Sequence, residues 1–85
     1  MNPRVVHCDT VLDPWLAAES DHRKCEAVLV ALMNAVEHYD DLYAQPAVYG
    51  HPLRRLIEVP EAEVTILVVL PEPFRGIVLV RIDAI

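Results

Sequence analysis

The sequence predicts an α+β domain of order β-α-α-β-β-β, an antiparallel sheet with a helix pair packed on one face. Three observations carry this. Glu63–Leu70 and Gly76–Ile82 are apolar runs rich in β-branched residues, as in strands covered on both faces. Leu53–Val59 alternates, with Leu53, Arg55, Ile57 and Val59 on one side and Arg54, Leu56 and Glu58 on the other. Upstream, Cys25, Val28, Leu29, Leu32, Val36 and Tyr39 recur at three- and four-residue steps, the spacing of an amphipathic helix.

Each element has local support. Val5, Val6, Cys8, Val11 and Leu12 suit a first strand over Arg4–Leu12, which Asp13-Pro14 ends. Asp is a favoured N-cap and Pro a favoured first helical residue, so Trp15–Glu19 is expected to form a short helix. Ser20 and Asp21 offer a second cap, so the long helix should begin near Asp21 or His22. Its end should fray between Tyr39 and Tyr43, because Glu37, Asp40 and Asp41 place negative charge where a helix C-terminus disfavours it. Pro46, Gly50 and Pro52 mark 44–52 as a loop. Pro60-Glu61-Ala62 and Pro71-Glu72-Pro73-Phe74-Arg75 read as the turns of a carboxy-terminal antiparallel meander.

At 85 residues the chain has room for one domain. With 54% hydrophobic and only 6% aromatic residues, its interior must be built from Val, Leu, Ile and Ala. That apolar content exceeds what a small globule readily hides, which favours a homo-oligomer or a protein partner. The net charge of −6 is uneven: residues 1–43 set three basic residues against eight acidic ones, and residues 44–85 set four arginines against five acids. No basic stripe suited to nucleic acid or an anionic membrane stands out. No apolar run reaches the roughly twenty residues that span a bilayer, and no signal-type core follows Met1-Asn2-Pro3-Arg4, so a cytoplasmic protein is expected.

Face assignments locate the expected contact surface. In a regular last strand Val78, Val80 and Ile82 share one side, expected to meet the helices. Ile77, Leu79, Arg81 and Asp83 share the other, expected to stay open together with Leu67. Ile77, Leu79 and Arg81 are therefore the expected partner-binding residues, joined by Tyr43, Tyr49 and His51 from the loop region. Glu37, Asp40 and Asp41 form an acidic patch that could meet a basic partner or simply face water. His7, Cys8, His22 and Cys25 could in principle converge on zinc, but adjacent strand residues point to opposite faces, so two buried thiols are the expectation and no metal or cofactor is assigned. With only Gly50 and Gly76 present, no glycine-rich phosphate loop can be written, and no Ser-His-Asp order occurs.

The element order, the segment Gly50-His51-Pro52-Leu53-Arg54-Arg55-Leu56 leading into the sheet, and the closing Ile77-Val78-Leu79-Val80-Arg81-Ile82 resemble the bacterial RelE/ParE toxin superfamily over about residues 21–82. The resemblance implies the fold, and by extension a ribosome-dependent mRNA endonuclease of a toxin–antitoxin pair. That reading draws on Arg54, Arg55, Arg75, Arg81 and His51 as site residues. This chain departs from the family's basic or aromatic ending with Asp83-Ala84-Ile85, and only His51 could move a proton beside the arginines. The leading expectation is accordingly a non-catalytic, homodimeric interaction protein; the endonuclease is the alternative, and an acidic inhibitor of a larger enzyme the third. The residues opposite Arg81 discriminate: cationic or imidazole neighbours favour a nuclease groove, aliphatic neighbours an interface.

Overall fold

A computed structural model describes residues 4–71 and 75–85; the middle of the expected turn at 71–75 and the first three residues lie outside them. The chain is α+β. Strand β1 (Arg4–Val6) leads through a π-helical turn (Cys8–Leu12) into helix α1 (Asp13–Ala18), then α2 (His22–Glu37) and α3 (Tyr39–Ala44). Strands β2 (Arg54–Val59), β3 (Val64–Val69) and β4 (Gly76–Ala84) follow, with a 3₁₀ turn at Pro60–Ala62. The sheet order is β1-β4-β3-β2, antiparallel at β2–β3 and β3–β4 but parallel at β1–β4.

The mixed sheet corrects the all-antiparallel expectation, and the cause is topological. A helical layer that crosses the sheet returns the chain to its starting end, so β2 runs in the direction of β1. Two reversals through β3 then bring β4 back to that direction before it meets β1. The first strand is also shorter than expected. His7 takes a left-handed conformation (φ 67°), which ends the extended run, and Cys8–Leu12 coil instead.

Helix α2 starts where its cap dictates: the Arg23 backbone N–H donates to Asp21 Oδ1 at 2.9 Å. Asp21→Ala should cost about 1 kcal/mol, checked by urea denaturation. The other end departs from the expected fraying. The helix breaks at His38 (φ −113°, ψ 42°) and restarts, so Asp40 and Asp41 occupy the first turn of α3, where the dipole favours negative charge.

Val28, Leu32 and Ala35 of α2, with Tyr39 and Leu42 of α3, are buried against Ile66, Val68 and Leu70 from the central-strand run and Ile77 and Leu79 of β4, in one core. Leu29, assigned to the inner face from its spacing, is exposed beside Val30 and Met33. No helix is long and apolar enough to cross a membrane among the described residues.

The faces of β4 need a second correction. Ile77 and Leu79 are 0% and 2% exposed beneath the helices, whereas Val80 is 43% exposed. Two causes combine. The helices take the side bearing Ile77 and Leu79, and a β-bulge intervenes: Val68 pairs with Leu79 and Leu67 with Arg81, leaving Val80 without a partner on β3. The bulge returns Ile82 to the core side while Arg81 and Asp83 stay exposed.

Candidate functional site

The uncovered side of the sheet is built by parity. Arg54, Leu56 and Glu58 pair across from Val69, Leu67 and Thr65, and these from Val78, Arg81 and Asp83 of β4, with Val6 beyond Val78. Val6, Val78, Val69, Leu67 and Leu56 thus form an apolar band with Val80 beside it. Leu67 is closed over by its neighbours, whereas Val6 and Val80 remain open to solvent. Arg81, opposite Leu67, turns its Nε to Asp83 Oδ2 at 2.7 Å.

The structure does not gather the five residues of the nuclease alternative. Arg55, 5% exposed, lies on the helix side. Its Nε donates to the Leu42 carbonyl (3.2 Å), its Nη2 to that of Tyr43 (2.8 Å), and its Nη1 to those of Pro52 (2.9 Å) and Arg54 (2.8 Å). It also sits over the Tyr43 ring, 5.6 Å from the centroid. Arg55 is therefore a buried clamp on the carboxy-terminal carbonyls of α3. Arg75 pairs with Asp40 at 3.1 Å and covers the Tyr39 ring at 4.9 Å. Only Arg54 and Arg81 share the open side, two strand spacings apart, about 9–10 Å before their offset along the strands. Arg54 Nη1 donates to the Tyr49 carbonyl at 3.3 Å. His51 Nδ1 accepts the Leu53 backbone N–H at 3.1 Å, which uses the imidazole to shape the turn.

The expected partner residues separate as well. Ile77 and Leu79 belong to the core, so their assignment to a contact surface is corrected; Val78 and Val80 take that place next to Arg81. The helices cover the side of β4 opposite to the expected one, and the bulge at Val80 brings Arg81 to the same side as Val78 and Val80. Tyr43 and Tyr49 are exposed, Tyr43 beside Tyr39 (ring centroids 6.4 Å apart) and Tyr49 at the tip of a tight turn. That turn spans Val48 to His51, with Tyr49 at φ 55° and Gly50 at φ 71°. Positive φ at both central residues marks a type I′ hairpin, a conformation Gly accepts and an aromatic residue resists. Tyr49→Asn should raise stability by about 0.5–1 kcal/mol in thermal unfolding, since Asn tolerates this region better.

Glu37, Asp40 and Asp41 are all exposed; Asp40 is engaged by Arg75, and Asp41 lies 3.9 Å from His38 Nδ1. The Cys25 thiol faces the Leu16 and Glu19 carbonyls at 3.9 and 3.8 Å. No three His, Cys, Asp or Glu residues gather in a metal-holding cluster among the described residues.

A cleft of about 670 Å³ escaped the sequence reading. It lies between α2, α3 and the outer edge of β2, lined in part by Ala31, Ala35, His38, Asp41, Ile57 and Glu58. Its walls come from separate elements, so no local pattern could announce it. Compared with protein-family models, curated proteins and solved structures, the chain matches none.

Proposed function

We propose that this chain is a small, non-catalytic interaction protein that works as a homodimer, with a fold of the RelE/ParE kind. The observation that carries the reading is the neighbour of Arg81: the residue opposite it is Leu67, and Asp83 engages the guanidinium. An aliphatic neighbourhood on an uncovered sheet side suits a contact surface. A phosphodiester-cleaving groove needs converging cations and a proton carrier, and here Arg55 and Arg75 have structural partners on the helix side while His51 holds a turn.

Sedimentation equilibrium at micromolar concentration tests the reading directly. A dimer, about twice 9.6 kDa, is expected; a clean monomer would remove the homodimer. Expression of the intact chain should leave cell growth unchanged. Growth arrest that Arg81→Ala or Arg54→Ala relieves would instead establish the endonuclease. Arg55→Ala is unsuited to that experiment, because it would lower any activity by destabilising the fold.

A further inference from the structure

The outer edge of β2 is open over two residues. Arg54 turns its backbone away from β3: its N–H donates to the His51 carbonyl (3.1 Å), and its carbonyl accepts from Val48 (3.3 Å). Leu53 faces the other way, accepting from Leu70 at 2.9 Å. Strand alternation then aims the N–H and C=O of Leu56 and Glu58 outward, and no strand lies beyond them among the described residues. The opening has definite ends. The Val48–His51 turn occupies the Arg54 position, and at the next outward position Pro60 has no N–H and its carbonyl accepts from Glu63.

We propose that this edge pairs antiparallel with the β2 edge of a second copy, about a two-fold axis at Ile57, so that two four-stranded sheets become one of eight strands. The inference rests on the homodimeric reading but places the contact between copies at the β2 edge, which leaves the open sheet side around Arg81 free for a further partner. Register decides the axis. With Ile57 opposite Ile57, each Leu56 faces the second copy's Glu58, and all four open backbone groups of each copy are paired. With Leu56 opposite Leu56, Glu58 would face Arg54, whose backbone groups are already used.

Side chains agree with the Ile57 register. Glu58 of one copy becomes the diagonal neighbour of Arg54 in the other, on the uncovered side, giving two symmetric pairs of opposite charge. On the helix side, the small residues Ala31 and Ala35 border the cleft beside Ile57 and leave room for the second isoleucine. A two-fold axis normal to the sheet also keeps both uncovered sides together, doubling the apolar band.

The test is site-specific crosslinking in the full chain with Cys8 and Cys25 replaced by Ser. Ile57→Cys should form an intermolecular disulfide on mild oxidation, because residues opposite each other in a non-hydrogen-bonded pair lie about 4.5 Å apart at Cα. Leu56→Cys and Glu58→Cys should crosslink poorly. Glu58→Arg and Arg54→Glu, both at partly or fully exposed positions, should each weaken self-association about tenfold, and the double exchange should restore it. A wild-type monomer would overturn the homodimer itself. A dimer that Ile57→Cys does not crosslink, and that Val80→Asp disrupts, would overturn only the edge pairing and move the interface to the open sheet side.

Discussion

Arg55→Ala is expected to lower the free energy of unfolding by about 3–5 kcal/mol, because hydrogen bonds to a charged group contribute about 1.5–3 kcal/mol each and several are lost together. The guanidinium donates to four backbone carbonyls, two of them, Leu42 and Tyr43, near the end of α3. Removing it leaves the buried Leu42 carbonyl and three partly buried ones without their donor, at about 1–3 kcal/mol for each that finds no substitute. Small domains hold about 5–15 kcal/mol in all, so α3 should detach or the whole domain melt well below the parent temperature. Arg55→Lys should recover less than half of the loss, because an ammonium cannot span carbonyls that a planar fork reaches together. Urea denaturation followed by Trp15 fluorescence and circular dichroism gives the number. A loss under about 1 kcal/mol would mean that the clamp contributes little.

The second large effect compares neighbours. Leu79→Ala should cost about 2–5 kcal/mol, the range for emptying a buried leucine site, whereas Val80→Ala should change stability by about 0.5 kcal/mol or less. Leu79 is enclosed by core residues, and Val80 is open to solvent on the other side. The opposite ranking would reinstate the regular alternation that the sequence suggests for the last strand. Both values come from the same denaturation series, and the difference between them is insensitive to how the unfolded chain is treated.

Most elements were legible because their signals are local. Asp21 capping α2, Pro14 in the first turn of α1 and the alternation from Leu53 to Val59 all act within a turn or a strand, so composition and spacing reveal them. The failures share a different cause. Asp40 and Asp41 looked like poor helix-end residues because nothing local to them shows that the helix restarts at His38. Alternation alone puts Ile77 and Leu79 outside, because which side of a strand the helices cover is a tertiary fact, and the shift at Val80 is a property of the β3–β4 pair. Arg55 appeared chemically available for the same reason. Its partners are backbone carbonyls, some of them twelve and thirteen positions away, and carbonyls carry no sequence signature.

The shift in β4 also does something that an unbroken strand cannot. Either Val80 or Arg81 could be absent, and Ile77, Leu79 and Ile82 would still fall on the helix side by simple alternation. Keeping both lets two consecutive side chains, one aliphatic and one cationic, stand on the solvent side together. An incoming surface would meet an apolar anchor and a charge at a single point on the strand, and shortening the strand by one residue there should leave the fold standing while removing that juxtaposition.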